Sequence, residues 1–138
     1  MRTLGIDWGE RRMGFAVSDP QGIVATPLCT VEIENHTEAL TEAARICGET
    51  EAECVVVGLP VNMDGSTGAS AQKVHVFIEK LREKLDVPVE YMDERLSSAL
   101  VERALISADM SRERRKKVKD KLAAQVILQS WLDCLAES

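Results

Sequence analysis

The sequence is poor in aromatic residues and histidine, and its cysteines are not closely spaced. Aromatic residues make up 4% of the 138 residues, too few to predict a platform on which successive nucleobases stack. The two histidines and four cysteines are scattered with no C-x-x-C pair, so neither a zinc site nor a redox dithiol is expected. Cys47 and Cys54 fall in apolar segments, which predicts buried thiols in a reducing compartment.

A long apolar run is also lacking. No window approaches the roughly 20 apolar residues that a membrane helix needs, and Met1–Trp8 does not have the basic and then apolar pattern of a secretion signal. With 45% apolar residues, a chain of this length is able to bury one core. We therefore expect a single domain, residues 1–138, that is cytoplasmic and has no membrane partner.

The net charge of −6 argues against a protein that coats nucleic acid nonspecifically. The distribution of charge is uneven, however. Arg112–Lys121 (RERRKKVKDK, hereafter the basic segment) holds seven basic and two acidic residues, so its charge is +5 and the rest of the chain carries −11. Most charge runs are solvated helix faces, but a basic edge on an acidic body also suits an anionic partner.

Five segments predict strands: Arg2–Asp7, Met13–Ser18, Ile23–Glu32, Cys54–Leu59 and Val87–Met92. The first three follow one another through short turns, which predicts an antiparallel meander. Pro27 in the third strand favours an edge position or a bulge, because proline has no N–H to donate. The fourth segment is continuously apolar, as expected of a central strand that is covered on both faces.

Helical periodicity predicts four helices. The first should end near Gly48, the second carries apolar residues from Ala71 to Leu85, the third starts near Ser97 or Ser98, and the last runs from about Val118 to Leu135. The order predicts an α/β fold with a mixed five-stranded sheet flanked by helices, because helical crossovers join parallel strands. The irregular stretch Pro60–Ser70 follows the central strand, and loops of this length are often functional.

Acidic residues at two predicted strand ends stand out from ordinary surface carboxylates. Asp7 closes the first strand and precedes Gly9, which lets the backbone approach a ligand closely; the alternative is an aspartate that caps its own turn. The pair Asp93-Glu94 follows the fifth strand, where sites commonly lie. The alternative for this pair is a favourable charge at the start of the next helix.

Asp120 is a third acidic candidate, because it shares a helical stripe with apolar residues, namely Ala123, Ala124, Ile127 and Trp131. A carboxylate on a buried face is costly unless it meets a cation or hydrogen-bond donors. The alternative to a functional site is a salt bridge to Lys116 or Arg95.

The three acidic positions are expected to converge, since two end strands and the third lies on a helix packed over the sheet. Clustered carboxylates repel one another and are tolerated mainly with divalent cations. Oxygen ligands without a cysteine or histidine set predict Mg²⁺ or Mn²⁺, which support phosphodiester hydrolysis. Basic residues would then hold nucleic-acid phosphates; the candidates are Arg11, Arg12, Arg95, Arg114, Arg115, Lys116, Lys117 and Lys121.

Four blocks, in order along nearly the whole chain, resemble the YqgF family of Holliday-junction-resolvase-like and pre-16S ribosomal RNA nuclease proteins. They are Leu4–Gly9 with Arg11–Gly14 and Ala16–Asp19, Val57–Pro60 with Asn62–Gly65, Asp93–Ser98, and Lys117 with Asp120–Ala124 and Ile127–Gln129. Any one block is weakly specific, but four in order are highly specific. The sequence has serine at positions 97 and 98, where the family tends to carry threonine.

The resemblance implies an RNase H-like fold and a metal-dependent nuclease whose catalytic residues are Asp7, Asp93, Glu94 and Asp120. The implied metal ligands are Asp7, Glu94 and Asp120, with Glu94 favoured over Asp93. The implied substrate is pre-16S rRNA during maturation of its 5′ end, with branched DNA, a Holliday junction, as the alternative. We expect the protein to act as a monomer or a weak homodimer.

Two interpretations of other classes remain open at this point. Gly5–Gly9 followed by Gly14 is similar to the opening of sugar kinases and actin-like ATPases, but those proteins close two such domains over a nucleotide. Alternatively, the chain is a noncatalytic RNA-binding or transcription-regulating module whose carboxylates have no catalytic role. Metal-dependent turnover would distinguish a nuclease from such a module.

Overall fold

The sheet combines antiparallel and parallel strand pairs. The computed structural model of the chain describes residues 1–59, 69–93 and 112–136, and their side chains except at positions 69, 70, 93 and 112–119. Within these residues the strands are β1 (Thr3–Trp8), β2 (Arg12–Ser18), β3 (Ala25–Glu32), β4 (Cys54–Leu59) and β5 (Val89–Asp93). Their order is β3-β2-β1-β4-β5. Pairing is antiparallel for β1–β2 and β2–β3 and parallel for β1–β4 and β4–β5, which confirms the predicted mixed sheet.

Strand β3 is an edge strand and also contains a bulge, as Pro27 predicts. Phe15 pairs with Cys29 and Ala16 with Pro27, so Leu28 is the extra residue of β3. The predicted start at Ile23 is two residues early. The backbone N–H groups of Ile23 and Val24 donate to the Asp19 carboxylate at 2.7 and 3.0 Å, so these residues close a turn instead of extending the strand.

The described helices are α1 (His36–Thr50), α2 (Ala69–Lys84) and α3 (Arg112–Ala136). The Asn35 side chain caps α1 by accepting a hydrogen bond from the Glu38 N–H at 2.8 Å. The prediction that Gly48 ends α1 is wrong by two residues, and α3 begins six residues before Val118. Most of Pro60–Ser70 and the predicted helix near Ser97 lie outside the described residues.

The sheet is covered on both faces. On one face α1 and α2 pack with β1, β2 and β4 in the larger apolar cluster, which includes Leu4, Phe15 and Val57. On the other face α3 packs in the smaller cluster with Ala16, Ala25 and Val56. All six residues of β4 are buried, as its continuous apolar sequence predicts.

The four cysteines form no disulfide, and two of them are buried. Cys47 and Cys54 are buried, Cys29 is partly buried and Cys134 is exposed. Burial raises the thiol pKa of Cys29, Cys47 and Cys54, so these thiols stay protonated and unreactive. The prediction of buried thiols is confirmed for Cys47 and Cys54. None of the described helices is both long and apolar enough to span a membrane.

Candidate active site

The carboxyl ends of four strands meet at one edge of the sheet. Strands β4 and β5 run parallel to β1, and β3 runs in the same direction because two antiparallel pairings separate it from β1. Asp7 is the next-to-last residue of β1, and Asp93 ends β5. This edge therefore collects the acidic positions that the sequence places at strand ends.

Gly14 brings Asp7 and Asp120 together. Asp7 pairs with Gly14 in the β1–β2 ladder, and directly opposed residues of antiparallel strands share one face of the sheet. A Cβ atom on Gly14 would lie 2.0 Å from the Asp120 carbonyl oxygen and 2.7 Å from the Lys121 nitrogen. Helix α3 thus passes directly over Gly14 on the face of Asp7. The contact leaves no room for a side chain larger than hydrogen at position 14.

Helix α3 crosses the sheet away from this edge. After Asp120, its Ala124 and Leu128 lie against Gly5, where an added Cβ would be 3.1 Å from the Ala124 carbonyl oxygen. Further on, the Gln129 amide accepts from the Ala25 N–H and donates to the Ile23 carbonyl, both at 2.9 Å. Residues 112–119 precede Asp120 in α3 and correspond to about 12 Å of helix.

Asp120 forms an ion pair with Arg12. The Arg12 Nε atom donates to the Asp120 Oδ2 atom at 2.9 Å, and the two side chains are 36% and 17% exposed. Arg12 is the first residue of β2 and lies two positions before Gly14, so it shares the face of Asp7. A salt bridge at Asp120, the alternative role that the sequence predicts, therefore exists with Arg12. The predicted partners, Arg95 and the side chain of Lys116, lie outside the described residues.

A polar cleft of about 450 Å³ lies beside Arg12. Its wall combines two arginines, three glutamates and one apolar residue, namely Arg11, Arg12, Glu32, Ile33, Glu34 and Glu38. The cleft is formed where β2 pairs with the end of β3 and where α1 begins. It gives the Arg12 side chain open space next to its ion pair with Asp120.

Aromatic packing anchors the end of β1 beside Asp7. The Trp8 ring lies 5.5 Å from the His36 ring of α1 and 6.0 Å from the Phe77 ring of α2. After β1, Glu10 forms an ion pair with Lys73 of α2, and this pairing lowers the pKa of the Glu10 carboxyl. Both contacts connect the β1–β2 region to the helices.

The remaining predicted site residues fall in three groups. Arg11 lines the cleft and Lys121 is partly buried next to Asp120. Asp93 pairs with Leu59 in the β4–β5 ladder. The cations of the basic segment that precede Asp120 lie in the first turns of α3. The side chains of Asp93 and of these cations lie outside the described residues. Glu94 and Arg95 are themselves outside the described residues.

The donor atoms at this edge fit a hard divalent cation better than a soft metal. Asp7 and Asp120 contribute carboxylate oxygens, which are ligands that Mg²⁺ and Mn²⁺ prefer. His36 packs on Trp8, and His75 packs against Tyr91 at 5.5 Å, so neither adds a nitrogen ligand. Within the described residues no group of three histidine, cysteine or acidic side chains converges, so a third protein ligand would lie outside them.

Sequence reasoning missed the Arg12–Asp120 ion pair and the adjoining cleft. The two residues are 108 positions apart, and their contact depends on how α3 lies across β2. A signal was nevertheless present. Gly14 follows Arg12 by two residues, and a glycine inside an apolar strand indicates that another backbone approaches closely.

Comparison with known proteins places the chain among nucleases. Residues 1–134 match the RuvX family, described as "Holliday junction resolvase". A protein of Desulforamulus reducens is 45% identical over 133 residues, which cover 96% of this chain and 97% of that protein. A protein of Clostridium novyi is 43% identical over 135 residues, which cover 98% and 100% of the two chains. Both relatives carry the name "Putative pre-16S rRNA nuclease".

Solved structures of resolvases share the fold. The RuvC protein of T. thermophilus in complex with a Holliday junction substrate has a TM-score of 0.63 at 15% identity, covering 100% of this chain and 97% of its own. The Fowlpox virus resolvase in complex with Holliday junction DNA has a TM-score of 0.59 at 15% identity, covering 98% and 99%. The predicted RNase H-like fold is confirmed.

Proposed function

Because this chain is a nuclease that belongs to the RuvX family of Holliday junction resolvases, we propose that it hydrolyses phosphodiester bonds at the sheet edge that carries Asp7 and Asp120. The observation that carries this assignment is the close approach at Gly14, which sets the two aspartates on either side of one glycine. A catalytic centre needs such groups on rigid elements. Asp7 lies on a paired strand and Asp120 lies on a helix packed against it.

We propose Mg²⁺ or Mn²⁺ as the cofactor, held by Asp7, Asp120 and Glu94. The bound cation would supply Lewis acidity and lower the pKa of the attacking water. The protein itself would position the ligands. Gly14 fixes the distance between β2 and α3, Trp8 anchors the end of β1, and Arg12 neutralises part of the negative charge of Asp120.

Strand alternation supports Glu94 over Asp93 as the third ligand. Met92 packs in the smaller cluster, which lies between the sheet and α3, on the face that Asp7 and Gly14 share. Leu59, the register partner of position 93, packs in the larger cluster on the opposite face. Since strand positions alternate between faces, position 94 is the better candidate for the Asp7 side. Separate Asp93→Asn and Glu94→Gln variants would test this assignment.

We propose pre-16S rRNA as the substrate, cut during maturation of its 5′ end in the cytoplasm. Relatives that carry a pre-16S rRNA nuclease name are 45% and 43% identical to the chain, whereas the resolvase structures are 15% identical. Fold alone is a poor guide to substrate. A DNA four-way junction is the second candidate, and cutting one symmetrically would require two copies of the protein. We propose that the protein acts on rRNA as a monomer or weak homodimer.

The experiment compares Asp7→Asn and Asp120→Asn with Asp133→Asn as a matched control. Asp133 lies on α3 like Asp120, but it is exposed and accepts from Gln129 at 3.0 Å. Each protein is incubated with labelled pre-16S RNA or a four-way DNA junction in Mg²⁺, Mn²⁺ or EDTA. We expect Asp7→Asn and Asp120→Asn to lose about 10²-fold or more in cleavage rate, as for loss of other groups that stabilise transition-state charge, and Asp133→Asn to cut normally.

The outcomes separate the three candidate functions. Metal-dependent cutting of RNA supports the proposal. Cutting of the junction alone would make the DNA junction the substrate in place of pre-16S rRNA. If folded Asp7→Asn cut at the wild-type rate, the site assignment would be wrong. If the wild type bound RNA and cut neither substrate with any metal, the noncatalytic RNA-binding function would replace the nuclease.

A further inference from the structure

Among the described residues, Arg12 meets an acceptor through its Nε atom. Within the described residues its hydrogen bond runs from Nε to Oδ2 of Asp120. The two terminal amino groups, Nη1 and Nη2, bond to no described acceptor. The Arg12 residue lines the 450 Å³ cleft, and its side chain is 36% exposed. A guanidinium edge of this kind matches the geometry of a phosphate group.

Asp120 therefore has two competing uses. Its Oδ2 atom already accepts from Arg12, while its place opposite Asp7 makes it a candidate ligand for a divalent cation. A guanidinium group and a divalent cation on one carboxylate repel each other, because both are positive and only a few ångströms apart. Binding one at Asp120 must weaken the other.

We propose that Arg12 is a positioning residue that couples cation loading to substrate binding. In the cation-free protein Arg12 holds the Asp120 carboxylate in place. When Asp120 ligates a divalent cation, Arg12 is released and its guanidinium group binds a phosphate of the substrate. This inference rests on the proposed function, because it requires a divalent cation at Asp7 and Asp120.

The magnitude of the ion pair suits a release mechanism. Solvent-exposed ion pairs contribute little free energy, and the Arg12 side chain is more than a third exposed. The pair is thus strong enough to orient Asp120 and weak enough for a divalent cation to displace it. The cleft beside Arg12 offers the released side chain open space.

The test measures Mn²⁺ binding by calorimetry without nucleic acid, for the wild type, Arg12→Gln and Arg45→Gln. Arg45 is the matched control, because it also forms ion pairs, with Glu42 and Glu49 of α1, and makes none with Asp120. Removing the competing cation should lower the Mn²⁺ dissociation constant of Arg12→Gln about two- to fivefold relative to Arg45→Gln, as expected for a pair of this strength. Equal or weaker Mn²⁺ binding by Arg12→Gln would overturn the inference.

A second measurement uses the wild-type protein, in case Arg12→Gln does not fold. The Nε–H of Arg12 gives an NMR signal that is assigned by comparison with Arg12→Lys. We expect saturating Mg²⁺ to shift this signal and to speed its exchange with water, because the hydrogen bond to Asp120 is lost. A signal unchanged by Mg²⁺ would show that Arg12 is not released.

Failure of this inference and failure of the proposed function give different results. If the wild type cuts RNA with Mn²⁺ but Arg12→Gln binds Mn²⁺ no more tightly than Arg45→Gln, only the role of Arg12 is wrong. If the wild type binds no Mn²⁺ and its cutting does not depend on metal, the metal site and the coupling both fail.

Discussion

Gly14 is the residue on which the geometry of the site depends most directly. It pairs with Asp7 on one side and touches the backbone of Asp120 on the other. The contacts are with backbone atoms, so no side-chain rotation can make room for a larger residue. The helix and the strand would have to move apart, which would separate Asp7 from Asp120.

Gly14→Ala should therefore destabilise the protein and lower its activity. Forcing a methyl group into this contact should cost about 1–3 kcal/mol or more, measured as the free energy of unfolding in urea. The matched control is Gly48→Ala, since Gly48 lies in α1 with no atom within 4 Å of an added Cβ. That control should gain about 0.5–1 kcal/mol through helix propensity. A Gly14→Ala protein as stable and active as the wild type would contradict the close approach.

The sequence singles out candidate site residues but not the residues that contact them. Asp7 and Asp120 are recognisable because a carboxylate at the end of an apolar strand or on an apolar helical stripe needs a reason to be there. The pairing of Asp120 with Arg12 is not predictable from the sequence, because the two residues are 108 positions apart. Which cation meets Asp120 is decided by the path of α3 across β2, and periodicity carries no information on that path.

Among the elements, α1 shows how packing extends a helix past a glycine that predicts its end. Gly48 predicts a helix end, but the helix continues to Thr50, and Glu51 adopts the left-handed conformation with φ of 55°. The N–H groups of Glu51 and Ala52 donate to the carbonyls of Gly48 and Cys47, both at 3.2 Å, a Schellman pattern. Cys47 and Ala52 are both buried in the larger cluster, so this apolar contact places the end of the helix after Gly48.

Glu51→Gly should stabilise the protein. Glycine has no Cβ and adopts the left-handed conformation without the steric cost that Glu51 bears. Part of this gain is offset because glycine loses more backbone entropy on folding, so the free energy of unfolding should rise by about 0.5–1 kcal/mol. The measurement is the urea midpoint and slope of the variant and the wild type. Glu53→Gly is the control, because Glu53 lies outside the left-handed region and should gain nothing. A less stable Glu51→Gly protein would show that this conformation is not a source of strain.

Strand identities were predictable, and most of the boundary errors have physical causes. The continuous apolar run of β4 and the proline of β3 each define a position in the sheet. The apolar pattern predicts a start of α3 at about Val118, because the basic segment has no apolar period. Arg, Lys and Glu are good helix formers, however, and the helix begins at Arg112. Apolar pattern thus locates the packed part of a helix and misses its polar extension.

At the scale of the whole molecule, the distribution of charge disfavours nonspecific binding of nucleic acid. The chain carries −6 with an isoelectric point of about 5.0, so most of its surface repels a polyanion. The basic segment carries +5 and forms the first turns of α3, with Asp120 near its end. An anionic substrate is therefore attracted where the helix leads to the candidate active site and is repelled by the average charge elsewhere.

This arrangement predicts that RNA binding depends more on the position of a positive charge than on the net charge of the protein. Arg114→Gln with Arg115→Gln should weaken binding to single-stranded RNA and reduce the slope of log K against log salt concentration by about 1–1.5, since each phosphate contact contributes about 0.7. The control is Arg45→Gln with Arg82→Gln, which removes the same charge from ion pairs of α1 and α2. If net charge governed binding, both double variants would weaken it equally, whereas a basic segment that contacts phosphates predicts an unchanged slope for the control. Binding is measured by fluorescence anisotropy in EDTA, so that cleavage does not consume the RNA.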